Sequence, residues 1–217
     1  MQAGETRSFP LQSSGCSLPN SAQAYALTFT AVPKSSKLAY LTVWPTGSTL
    51  PVVSTLNATT GAVTANAAIV PIGSGGAISA YTTDPADLIV DVSGYYAPPG
   101  AGGLALYNVT PCRTFDSRDP GRSPVSGVFN VNVSGGCSVP GLAQSFVLNA
   151  TVVPAASLSY LTLWARGASQ PLQSTLNAYD SAVTSNLAVV PTIDGYVSSF
   201  TTARTDLILD VFGYFAP

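Results

Sequence analysis

The chain has 217 residues, of which 46% are hydrophobic and only 8% charged, with a formal net charge of −2 and no histidine. Lys and Arg total 8 without clustering, which excludes the cationic footprint that nucleic acid or an anionic bilayer surface requires. The missing histidine excludes Ser-His-Asp and Cys-His catalysis and the usual zinc sites, and the hydrophobicity excludes a disordered chain.

The N-terminal MQAGETRSFP has no charged stretch followed by an apolar core, so no signal peptide is expected there. It holds the only Glu, Glu5, in a terminus expected to fray. No apolar run reaches the roughly 18 residues needed to span a bilayer, so no membrane span is expected. SSGCSLP follows at 13–19, then PNSAQAYAL at 19–27, which is read as one helical turn. LAYLTVW (38–44) alternates, with Leu38, Tyr40, Thr42 and Trp44 on one face and Ala39, Leu41 and Val43 on the other. DLIVDV (87–92) alternates in the same way. Between these runs PTG, TTG, GSGG and TTDP break the chain. Period-two runs separated by turn residues predict antiparallel, half-buried strands. APPGAGG (97–103) reads as a short Pro/Gly linker.

Beyond the linker the text returns. LAYLTVWPTGSTLPVVSTLNATTGAVTANAAIVP (38–71) reappears as LSYLTLWARGASQPLQSTLNAYDSAVTSNLAVVP (158–191), and DLIVDVSGYYAP (87–98) as DLILDVFGYFAP (206–217), with about half the positions identical. A period of about 120 residues predicts tandem domains, since solenoids and propellers repeat at about 20–50. The predicted fold is all-β: two tandem antiparallel β-sandwich domains related by internal duplication, over 1–98 and 104–217, with 99–103 as linker.

Cys16 and Cys137 occupy matching phrases, SSGCSLP and SGGCSVP, whereas Cys112 lies in PCRTFDSR, which occurs once. The first repeat therefore lacks its opening strand segment, expected to lie upstream of Met1. A Cys112–Cys137 bridge is the natural pairing and leaves Cys16 as a free or intermolecular thiol. The alternative is three reduced cysteines buried as small apolar residues. A bridge requires an oxidising compartment.

The ordered set PCRTFDSR, GGCSVP, FVLNATVVP, YLTLW, STLN, SNLAVVP and DLILDVFGYF resembles a repeated all-β module of large exported proteins of soil bacteria. The resemblance covers nearly the whole chain and departs in one place, the absent CRxxD[ST]R segment of the first repeat. It implies a module without assigned enzymatic activity, used in tandem for structural, adhesive or binding roles. A sheet edge left by the absent segment would be open to pairing with a strand of another chain.

Several side chains invite chemistry. Asp87 with Asp91, and Asp206 with Asp210, are four apart on one strand face; that spacing is about 13 Å, too long for a retaining glycosidase pair. They are read as turn-capping or Arg-pairing groups, which leaves a histidine-free hydrolase little support. DSRD (116–119) lacks the Gly and distant Glu of an EF-hand loop, so no metal is expected. Asp116 and Arg118 are instead expected to lock the opening strand, with Arg113 reaching Asp206 or Asp210. Tyr40 and Trp44, repeated as Tyr160 and Trp164, would form a stacking platform for sugars if their face is outward, with Asn57 or Asn177 as polar neighbours. Sequons at Asn57, Asn108, Asn132 and Asn149 suit a secreted chain.

The expectation is a non-catalytic, extracellular or cell-surface structural or adhesive module, without cofactor or nucleic-acid partner. It would assemble with other copies of itself or with neighbouring repeats into a fibre or longer array. The alternative is a carbohydrate-binding module that takes a polysaccharide on the Tyr/Trp strand.

Overall fold

A computed structural model describes residues 1–98, 100–137 and 139–217, with Thr110 and Pro111 described by their backbone alone. The chain divides into two compact units, Met1–Pro98 and Pro99–Pro217. The linker expected over 99–103 opens at Pro99, which lies outside the described residues.

Unit 1 holds β1 (Thr6–Phe9), β2 (Ala24–Pro33), β3 (Leu38–Pro45), β4 (Leu56–Ala58), β5 (Thr64–Pro71), β6 (Ile78–Thr82) and β7 (Ala86–Tyr96). They form two antiparallel sheets in the orders β1-β6-β3-β4 and β5-β2-β7. Every second residue of β2 (Tyr25, Leu27, Phe29 and Ala31) faces inward. There they meet Leu41 and Val43 of β3 and Ile78 and Ala80 of β6 in one core. The period of two thus becomes a sandwich: each sheet buries one row of side chains against the other.

Unit 2 holds β8 (Ala105–Asp116), β9 (Val125–Asn132), β10 (Ser145–Pro154), β11 (Leu158–Ala165), β12 (Leu176–Ala178), β13 (Thr184–Pro191) and the 21-residue β14 (Tyr196–Ala216). The first stretch of β14 pairs with β9 and β11, and its second stretch with β8 and β10. Phe146, Leu148, Ala150 and Val152 of β10 enter one core with Leu161 and Leu163 of β11 and Leu207 and Leu209 of β14.

Pairings recur between the units at about the offset of the sequence repeat. Leu38↔Ala58 and Leu41↔Leu56 have counterparts in Leu158↔Ala178 and Leu161↔Leu176. The bulge at Ala26/Leu27 beside Gly94 has its counterpart at Val147/Leu148 beside Gly213.

Three local expectations are corrected. Residues 24–27, read as part of a helical turn, open β2, because their alternate side chains are needed in the core and tertiary packing overrides local preference. The N-terminus does not fray: β1 pairs with β6, the Met1 ammonium donates to Ala86 O at 2.6 Å, and Glu5 pairs with Arg7. In β3 the strict alternation fails, since Leu38 joins Leu41 and Val43 in the core across an irregularity between Leu38 and Leu41.

Leu161 is fully buried, whereas Val128 is 61% exposed. Leu161→Ala is expected to lower the stability of unit 2 by about 2–5 kcal/mol and Val128→Ala by no more than about 0.5 kcal/mol, read from urea unfolding midpoints.

Candidate functional site

The side chains singled out in PCRTFDSR converge on β8 and fasten it to the second stretch of β14. Cys112 is bonded to Cys137, with Cα atoms 5.8 Å apart and 25 residues of separation, and Cys16 is an exposed free thiol. Next to the disulfide, Arg113 straddles two carboxylates. Its Nε donates to Asp210 Oδ1 at 2.8 Å, its Nη2 to Asp210 Oδ2 at 3.3 Å and its Nη1 to Asp116 Oδ2 at 3.2 Å. Arg118 closes on Asp116 from the other side, with Nε to Oδ1 at 2.9 Å, Nη2 to Oδ2 at 2.7 Å and its backbone N–H to Oδ1 at 3.0 Å. Ser117 Oγ donates to Asp206 Oδ1 at 2.7 Å and accepts the Leu207 N–H at 3.0 Å. Arg113 thus reaches Asp210, while Asp206 is held by Ser117.

The Arg118 guanidinium, assisted by the Arg118 backbone N–H and by Arg113, holds the buried Asp116 carboxyl down at about 2. The Arg118 fork on Asp116 and the Arg113 fork on Asp210, joined by the single Arg113 Nη1 contact to Asp116, belong to the strong, geometrically specific class of ion pair. Hydrogen bonding to Asp210 raises the Arg113 pKa in turn.

The aromatic strand is arranged otherwise than a sugar platform requires. Trp44 and Trp164 are only 6% and 8% exposed, and each indole N–H donates to a backbone carbonyl, that of Ser48 at 3.1 Å and that of Ala168 at 3.0 Å. The cover is the connection that follows each strand, 46–55 in unit 1 and 166–175 in unit 2. Thr42 Oγ1 donates to Val53 O, and Thr162 Oγ1 to Gln173 O at 2.9 Å. Thr55 and Thr175 then run beside β3 and β11, accepting from Val43 N and Leu163 N at 3.0 Å each. Asn57 and Asn177 are not free to meet a ligand, because each side-chain amide donates across the strand pair, to Ala39 O at 2.6 Å and to Ser159 O at 2.7 Å. Of the four rings, Tyr40 is exposed and Tyr160 half-buried, each tilted against a neighbour, Tyr81 at 5.9 Å and Phe200 at 5.6 Å.

What sequence reasoning passed over is the tip of that cover. Val52 and Leu172 stand fully in solvent, at matching positions of PVVS and PLQS. The signal was present in the repeat, as an aliphatic residue kept in a connection where polar residues are the norm.

The remaining aspartates are separated in role. Lys34 lies 2.8 Å from Asp87 and lowers its pKa through that hydrogen bond. Burial pushes the Asp91 carboxyl up. Among the described residues no group of three or more His, Cys, Asp or Glu is placed to hold a metal ion, and no helix is long and apolar enough to cross a membrane. Comparison of the chain with family models, with curated proteins and with solved structures found no match.

Two outcomes follow from the fastening of β8. Asp116 titrates near 4 in the unfolded chain and at about 2 when folded, so its contribution is complete above about pH 4 and lost as pH falls towards 2. The stability gap between the parent chain and Asp116→Asn, read by urea unfolding, is expected to shrink between pH 6 and pH 2.5; a constant gap would mean that charge is not what holds this carboxylate. Reducing Cys112–Cys137 opens a loop with a separation of 25 residues and is expected to cost unit 2 about 3 kcal/mol, leaving the unfolding of unit 1 unchanged.

Proposed function

We propose that the chain is a non-catalytic, extracellular or cell-surface tandem β module with a structural or adhesive role, joined with neighbouring modules into a longer array. The observation that carries this reading is the fastening of β8. One strand is held to its unit by a disulfide, by the two-sided ion pairing of Arg113 and by the Ser117 bonds. Such investment in one strand suits a domain that must keep its sheet intact under load or outside the cell, and the disulfide suits an oxidising compartment. The polar side chains that would otherwise recognise a ligand, Asn57 and Asn177, bond to backbone carbonyls, and both Trp rings are covered.

The polysaccharide-binding reading retains only the Tyr40–Tyr81 and Tyr160–Phe200 ring pairs and is the weaker of the two. Retention on insoluble glucan and chitin separates them. The structural reading expects the parent chain to pellet no more than a non-binding control protein. Pelleting that is abolished in a Tyr40→Ala, Tyr160→Ala double variant would replace it with sugar binding.

A further inference from the structure

Nearly the same short sequence, DLIVDV at 87–92 and DLILDV at 206–211, sits in two different surroundings in this molecule. In unit 2, DLILDV belongs to the second stretch of β14 and lies between β10 and β8. In unit 1, DLIVDV belongs to β7, which among the described residues pairs with β2 alone. Each consequence can be followed residue by residue. Leu207, Leu209 and Val211 are fully buried, while their counterparts Leu88, Val90 and Val92 are only partly covered. Ile208 is 5% exposed and Ile89 is 49% exposed. Asp210 receives the Arg113 fork, whereas Asp91 is half-buried, and no described side chain bonds to its carboxylate.

Two further positions mark the outline of an absent strand. A Cβ at Gly213 would meet Tyr107 O of β8 at 2.7 Å, so close passage of β8 explains that glycine; Gly94 has nothing within 4 Å of the same point. Cys137 is tied to β8 through Cys112, and Cys16 is exposed and free. The chain just beyond the two cysteines is anchored alike. Ala22 N donates to Pro19 O and Ala143 N to Pro140 O, both at 3.1 Å, and Gln23 N donates to Tyr96 O at 2.7 Å as Gln144 N does to Phe215 O at 2.8 Å.

We propose that the outer edge of β7 is a docking site for one antiparallel strand of a neighbouring polypeptide, a strand that carries Cys and Arg side by side as β8 does. In the register of β8 on β14, where Arg113 lies opposite Asp210, Cys112 opposite Val211 and Phe115 opposite Leu209, the incoming arginine lies opposite Asp91. Its cysteine lies opposite Val92 and bonds to Cys16, and an aromatic residue covers Val90. Unpaired backbone groups on an edge drive such strand addition, and side-chain matching makes it selective. The occupant is not β8 of a second copy, because that strand is already bonded to Cys137 and Asp210 in its own unit. This inference rests on the structural reading above and names the chemistry of its partner.

The covalent step is thiol–disulfide exchange with a low-molecular-weight disulfide such as oxidised glutathione. The Cys16 thiolate attacks the glutathione disulfide and expels one glutathione thiolate. The incoming cysteine thiolate attacks the resulting mixed disulfide at Cys16 and expels the second. Two protein thiols are oxidised, one glutathione disulfide is reduced, and both thiol protons pass to solvent.

The test uses the full chain and a synthetic peptide with the sequence of residues 105–119, in a glutathione redox buffer. Peptide mapping is expected to show one peptide per chain, linked to Cys16. Amide exchange over 88–94 is expected to slow at least about tenfold. In a Cys16→Ser chain the same protection is expected at high peptide concentration without a covalent link. A peptide carrying Arg113→Ala, or an Asp91→Asn chain, is expected to be captured about fivefold more slowly. Equal capture of a scrambled peptide that keeps the cysteine, linkage at Cys137 instead of Cys16, or unchanged exchange over 88–94 would each overturn the proposal. None of those results touches the structural reading itself, which polysaccharide retention tests separately.

Discussion

A strand has two edges, so no residue of β14 can serve more than two neighbours, yet β14 pairs with four strands. It does so in succession. Tyr196–Thr201 lies between β9 and β11, the register then shifts, and the stretch ending at Ala216 lies between β8 and β10. Both layers of unit 2 are thereby positioned by one continuous strand, and residues that join β14 late in the sequence are placed against residues that precede them by about 100. Unit 1 meets the same demand with two strands, β6 and β7, parted at Thr83-Asp84-Pro85. There Asp84 accepts the Ala39 N–H at 2.9 Å and the Thr83 hydroxyl at 2.7 Å, so a turn does what a continuous passage does in unit 2.

The sparse charge of the chain, 8%, becomes intelligible once the outer faces are considered. On β3 and β11 the stretch from Thr42 to Trp44 and from Thr162 to Trp164 is not left to water on the face away from the core. It is covered by the connections 46–55 and 166–175, and polar satisfaction there comes from Thr and Asn side chains bonded to backbone. Neutral groups can be buried in this way at modest expense, because each finds a partner. At Asp116 two guanidinium groups converge to compensate a buried carboxylate.

Much of this was legible in the residues. The alternation of YLTVW and DLIVDV marked strands, the repeated text marked corresponding places in the two units, and charge alone narrowed the partner of Arg113 to Asp206 or Asp210, of which the structure selects Asp210. The helical reading of residues 19–27 failed because a short Ala-containing stretch carries little local preference and the core required Tyr25 and Leu27 on one side. The outward placing of the two Trp rings failed for a different reason. Alternation shows that Tyr40 and Trp44 leave the strand on one side, but it cannot show that residues 46–55 fold back over that side and accept the indole N–H.

By itself, then, the sequence determined what depends on neighbours a few residues apart: strand periods, turns, the all-β class and the scarcity of catalytic groups. Tertiary structure alone decided which strand faces are covered and which edge the absent segment leaves: among the described residues β7 pairs with β2 alone, where β14 is closed by β8. It also decided that Asp116 sits between two guanidinium groups. The physical reason is that the edge of a strand must find its hydrogen-bond partners anywhere along the chain, and no local pattern records which distant segment arrives.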